Sequence, residues 1–133
     1  MKLPDTTFRM RCWAGTEDTG SYLSIHGDEA FITTTLDIKQ LAVGTEVEDD
    51  VELSGIGPTF EWVDVRPFRT EHALIAGGLE AKPHRNDNVN RDGIDALAAD
   101  LLIAAVALDT GAAVVTRNTG DFERFEDLDV ESC

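Results

Sequence analysis

The chain has 133 residues, of which 26 are Asp or Glu and 11 are Lys or Arg, for a formal charge of −15. That length predicts one domain, 1–133, with its own core, and a hydrophobic content of 42% argues against disorder as the source of the acidity. Lys2, Asp5, Arg9 and Arg11 leave no apolar stretch for a signal peptide, no segment suits a bilayer span, and two cysteines, Cys12 and Cys133, fit neither a disulfide scaffold nor a zinc site. The expected setting is a reducing, high-salt cytoplasm with no membrane partner. At molar salt the Debye length falls to about 3 Å, so an acidic coat is tolerated and net charge no longer excludes a nucleic-acid partner.

In chain order, Met1–Pro4 reads as a very short strand that delivers Asp5, although Pro4 removes a ladder donor. Phe8–Trp13 reads as helix up to Ala14-Gly15, and Gly20–His26 as another short helix. Phe31–Thr34 follows as strand, with Thr34 or Thr35 capping a helix Leu36–Val43 that Gly44 closes. Ile38, Leu41 and Ala42 supply its buried stripe and leave Gln40 without an explanation.

The acidic stretch Thr45–Gly57 predicts a small amphipathic helix, and Phe60–Val65 a strand ended by Arg66-Pro67. Thr70–Ala81 predicts a helix despite Gly77-Gly78, and Lys82–Arg91 a polar loop. From Leu101 to Leu108 every residue is apolar, which predicts a helix buried all round and stopped by Gly111. Ala113–Val115 reads as a strand buried on both faces, followed by a polar loop Thr116–Asp121. The alternation of strands and helices implies an α/β fold, an α/β/α sandwich around a mostly parallel sheet.

Parallel strands bring their C-terminal ends to one edge, where sites of open α/β sheets are built. Asp5 follows the first strand, Asn118 and Asp121 follow the last, and Asp100 stands directly against the apolar helical run. A carboxylate there is costly without a metal or a donor nearby. Oxygen ligands gathered at one edge suit a hard cation such as Mg²⁺, and metal-assisted phosphodiester hydrolysis is the chemistry that follows. Arg117 and Arg85 are the candidate phosphate contacts, whereas His26, His72 and His84 lack a catalytic context and read as surface or loop residues.

These residues resemble the motifs of PIN domains, specifically the VapC-type toxins of toxin-antitoxin pairs. Leu3-Pro-Asp-Thr-Thr-Phe8 is similar to the opening motif, whose aspartate binds metal; Asp100-Leu-Leu-Ile-Ala-Ala105 and Val115-Thr-Arg-Asn-Thr-Gly-Asp-Phe122 resemble the third and fourth motifs. Thr33–Gly44 resembles the second, with Gln40 where the family has a metal-associated glutamate; Pro4, Arg9 and Arg11 also depart from the pattern. The resemblance implies a PIN-like fold and a Mg²⁺-dependent endoribonuclease, with Mn²⁺ able to substitute. Asp5 and Asp100 would hold the metal, Asn118, Asp121 and Gln40 would complete the site, and Arg117 would contact RNA. It further implies a cognate antitoxin and a homodimer, and the acidic composition adds the expectation of a halophilic archaeal source. The alternative expectation is a catalytically attenuated PIN domain that binds antitoxin or RNA.

Overall fold

The computed structural model describes residues 1–5, 8, 17–48, 63–85 and 98–133. Short strands alternate with helices: β1 (Lys2–Pro4), α1 (Glu17–Ile25), β2 (Ile32–Thr34), α2 (Thr35–Glu48), β3 (Asp64–Arg66), α3 (Thr70–Arg85), α4 (Ala98–Thr110), β4 (Ala113–Thr116), α5 (Thr119–Glu123) and β5 (Val130–Ser132). The pairs β1/β4, β4/β5 and β2/β3 are all parallel. A parallel bridge between Lys2 and Phe31 joins the two groups into the order β3-β2-β1-β4-β5.

Pro4 explains why that junction is only a bridge. The amide of Lys2 donates to Ala30 O at 2.8 Å, toward β2, whereas the amide of Asp5 donates to Val115 O at 2.9 Å, toward β4. Amides alternate in direction along a strand, so the nitrogen of Pro4 faces β2 and has no hydrogen to give. A proline therefore sits in a central strand, where it removes one rung on the β2 side while pairing with Val115 on the other.

The register gives the sheet two buried faces. Leu3, Val114 and Val130 lie in line across β1, β4 and β5. Leu3, Ile32 and Val114 join Ala76 of α3 and Leu101, Ile103 and Val106 of α4 in one core cluster. On the opposite face Phe31 and Val115 pack with Phe8, Tyr22 and Val63. Helices thus cover both faces, giving the α/β/α sandwich with a parallel central sheet. In the apolar run Leu101–Leu108 of α4, Leu101 and Ile103–Ala107 are buried and Leu102 and Leu108 are half-buried. Burying Leu101, Ile103 and Val106 contributes about 1.5–3 kcal/mol each, which anchors the helix that begins next to Asp100.

The structure corrects several expectations. Gly44 does not close α2, which continues to Glu48; an interior glycine costs a helix about 1 kcal/mol but ends it only with a left-handed backbone. Among the described residues Gly111, at φ +73°, is the glycine that does so, and it ends α4 as expected. Lys82–Arg85 are the last turn of α3 rather than loop. Pro83 there forfeits one hydrogen bond, but its fixed φ is compatible with the final helical turn. The segment after β4 is not all loop, since Thr119–Glu123 forms α5.

β5 was not anticipated, because three residues are too few to show an alternating pattern. The strand expected at Phe60–Val65 is observed at Asp64–Arg66, and Phe60–Trp62 lie outside the described residues. So do Arg9, Arg11, Cys12, most of Phe8–Trp13, residues 49–57 of the expected acidic helix, and 86–91 of the expected loop.

His72 is buried, contrary to the expectation of a surface histidine. Its Nδ1 accepts the amide of Arg69 at 2.9 Å at the start of α3, so Nε2 carries the hydrogen and donates to Asp109 Oδ2 at 2.9 Å. The ring thereby ties the N-terminus of α3 to the C-terminal turn of α4. His26 stacks on Tyr22 and faces Glu29, and His84 is exposed.

Candidate functional site

Asp5 leaves β1 at the C-terminal edge of the sheet and is buried. Its Oδ1 accepts the amide of Phe8 at 2.8 Å, and its Oδ2 accepts the hydroxyl of Thr116, the last residue of β4, at 2.6 Å. The same hydroxyl accepts the amide of Asn118 at 2.9 Å. Its one proton is therefore committed to Asp5, and one buried side chain fixes both the carboxylate and the backbone that carries Asn118. Thr116 went unnoticed as a site residue in the sequence, because a β-branched residue ending a strand is explained by strand propensity alone.

Gln40 reaches the same edge from α2. The start of that helix is held by a reciprocal cap: the Asp37 amide donates to Thr34 Oγ1 at 3.1 Å, and the Thr34 amide donates to Asp37 Oδ2 at 3.3 Å. Thr33 Oγ1 also donates to Asp37 Oδ2, at 3.0 Å. Asp37, Thr33 and Thr34 are fully buried, so the cap is rigid, and Gln40 stands one turn beyond it.

Asp100, in the first turn of α4, and Asp121, in the first turn of α5, complete the arrangement. Asp5, Gln40, Asp100, Asn118 and Asp121 line one cleft of about 160 Å³, against an apolar wall that includes Ile103 and Phe122. All five side chains expected to form the site are thus brought together. Arg117 is exposed and does not line this cleft, and Arg85 is exposed at the end of α3.

The electrostatics follow from the placement. Burial pushes the Asp100 carboxyl above the ordinary aspartate range, the negative charges of Asp121 and Asp5 push it further, and Arg124 opposes them. Among the described residues no donor is hydrogen-bonded to that carboxylate. Asp121 is held by Arg124, whose Nη2 donates to Oδ1 at 3.3 Å. Among the described residues no three His, Cys, Asp or Glu side chains close into a ready metal cage. The cleft's donors, the carboxylates of Asp5, Asp100 and Asp121 and the side-chain amides of Gln40 and Asn118, offer oxygen ligands, the class that suits a hard cation rather than zinc.

No family model and no curated protein matches the sequence. Solved structures do match. VapBC2 from Rickettsia felis, bound to a DNA fragment from its promoter, superposes with a TM-score of 0.77 at 16% identity, covering 99% of this chain and 98% of the matched chain. DNA-bound VapBC from Salmonella typhimurium gives 0.73 at 21% identity, with 99% and 98% covered. A toxin-antitoxin complex from Klebsiella pneumoniae gives 0.73 at 15%, with 96% and 95% covered. The fold is PIN-like. The carboxylates of this chain gather at the C-terminal edge of its parallel strands.

Proposed function

We propose that this chain is a Mg²⁺-dependent endoribonuclease of the VapC toxin type, attenuated by Gln40. The observation that carries the reading is the convergence of Asp5, Gln40, Asp100, Asn118 and Asp121 on one cleft of a PIN-like fold. Asp5 and Asp100 would hold the cation, and Asn118 and Asp121 would provide outer contacts. The bound cation supplies charge neutralisation at the scissile phosphate and activation of water at neutral pH.

The protein's own residues set the conditions for that chemistry. Asp5, which lines the cleft, is held in place by the Thr116 hydroxyl and the Phe8 amide. Asp100 must lose its proton to act as a ligand, against burial and two like charges. The Gln40 amide offers a carbonyl oxygen but no charge, and it takes up no proton at neutral pH. It can position a ligand without neutralising a cation or acting as a base.

The partners in this reading are an RNA substrate, approached in part by the exposed Arg117, a cognate antitoxin, and a second copy of the chain. The fold's relatives are VapBC and toxin-antitoxin complexes, which supports the antitoxin. Light scattering of the purified chain tests the homodimer. Calorimetry with Mn²⁺ tests the site: the wild type should bind, and Asp100→Asn should lose about 10 to 100-fold in affinity. Equal affinity in the two proteins would remove Asp100 from the site.

The Gln40 amide also favours a second reading. If the lost charge abolishes turnover, binding of antitoxin or RNA is the surviving function, and Mn²⁺ would bind without RNA cleavage.

A further inference from the structure

The cleft presents three carboxylates within a chain of net charge −15, so a polyanionic substrate needs a local cation to approach it. Several basic side chains are committed elsewhere. Lys2 pairs with Glu29 and Glu131 at the start of β1, Arg66 with Asp64, and Lys82 with Glu126. Arg124 is placed differently. It stands at the C-terminal cap of α5, and its Nη2 lies 3.3 Å from Oδ1 of the cleft residue Asp121. Its charge also reaches Asp100. With 43% of its side chain exposed, the guanidinium has donors to spare beyond that single bond.

We propose that Arg124 binds a phosphate of the RNA strand beside the cleft while remaining anchored on Asp121, an inference that rests on the ribonuclease reading above. A guanidinium carries five N–H donors in a rigid fork, so it can serve a carboxylate on one edge and a phosphate on another. Asp121 then acts from both ends: it contributes charge to the cleft and aims the arginine. The pair also lowers the cost of an empty cleft, because Arg124 offsets part of the repulsion among the acids. In the sequence, an arginine three residues after an aspartate reads as an ordinary exposed helix pair. Only the position of Asp121 in the cleft gives it a substrate role.

The test uses the full chain and a fluorescently labelled single-stranded RNA, with binding followed by anisotropy through a KCl titration in the absence of divalent cation. Arg124→Gln should bind RNA about tenfold more weakly, the usual scale for one hydrogen bond to a charged group. The slope of log affinity against log salt should shrink by about 0.7, the increment for one single-strand phosphate. Arg124→Lys should restore the slope but not the full affinity, since an ammonium lacks the fork. Mn²⁺ affinity by calorimetry should rise a few-fold in Arg124→Gln, because a competing cation has left Asp121. If RNA affinity and slope are unchanged in Arg124→Gln while the wild type binds both Mn²⁺ and RNA, the assignment of Arg124 is overturned and the ribonuclease reading stands. If the wild type binds Mn²⁺ but no RNA, the ribonuclease reading fails and the Arg124 inference fails with it.

Discussion

At the scale of residues, the site depends on a few committed hydrogen bonds. Thr116→Val keeps the volume but removes the hydroxyl that donates to Asp5 and accepts from Asn118. Leaving a buried carboxylate short of a donor costs about 1–3 kcal/mol, so urea denaturation should show a loss of that size and calorimetry a weaker Mn²⁺ site. Thr116→Ser, which retains the hydroxyl, should recover most of both. If valine and serine behave alike, the hydroxyl does not organise the site.

Asp100 makes a prediction of opposite sign for stability and for binding. Its carboxyl is raised in the folded state by burial, Asp121 and Asp5. The folded protein therefore holds the proton more tightly than the unfolded chain. Its contribution to stability is most favourable below the unfolded value and declines as pH rises through the folded one. At neutral pH, metal-free Asp100→Asn should melt at a higher temperature than wild type, and the difference should vanish as Asp100 protonates in acid. Mn²⁺ affinity should fall on acidification, starting at a higher pH than for an ordinary aspartate. A lower melting temperature for metal-free Asp100→Asn at neutral pH would show that the charge is stabilised by something other than a missing cation.

Asp5, Asp100, Asn118 and Asp121 could be grouped from sequence because each follows a strand or opens a helix, whereas Gln40, inside α2, came in only through the motif from which it departs. Thr116, Arg124 and His72 were not. Their roles lie in which neighbour the fold brings to them: a carboxylate 111 positions away for Thr116, and Asp109, 37 positions along, for His72.

At the scale of elements, α3 holds two exposed glycines, Gly77 and Gly78, in mid-helix, and a methyl group on either would meet nothing within 4 Å. Gly→Ala in such positions gains about 0.5–1 kcal/mol each. The double variant should raise the denaturation midpoint accordingly. A loss of stability would mean that this face needs its glycines for another contact. At α2, Thr34→Ala breaks the reciprocal cap with Asp37 and should cost about 1–2 kcal/mol, with a weakened cleft as a consequence because Gln40 is carried by the same helix.

Long apolar segments such as α4 and its stop at Gly111 were readable in advance, and the cap of α2 was readable to within Thr34 or Thr35, of which the structure uses Thr34. The ends of α2 and α3 were not, since Gly44 and Pro83 are punctuation signals that the surrounding helix overrides. β5 escaped because it contributes a single in-line apolar residue, Val130, to the sheet face.

At the scale of the whole molecule, the α/β class followed from the alternation of elements. The sheet order did not, because short strands do not declare their neighbours. The charge of −15 predicts that thermal stability rises with KCl as self-repulsion is screened. A melting temperature that is flat from about 0.1 to 2 M KCl would contradict the expectation of high-salt adaptation. Among the described residues no helix is long and apolar enough to cross a membrane.

The most direct test of the central claim is metal-dependent RNA cleavage by the wild type and by Gln40→Glu. Total RNA serves as substrate, several KCl concentrations are compared, and Asp100→Asn provides the blank. Restoring the charge beside the cation should raise cleavage about 10 to 100-fold, the usual worth of a supporting group at a metal site. The absence of Mg²⁺- or Mn²⁺-dependent cleavage in both proteins, with the fold intact by circular dichroism, would contradict the nuclease reading and leave binding as the function of the cleft.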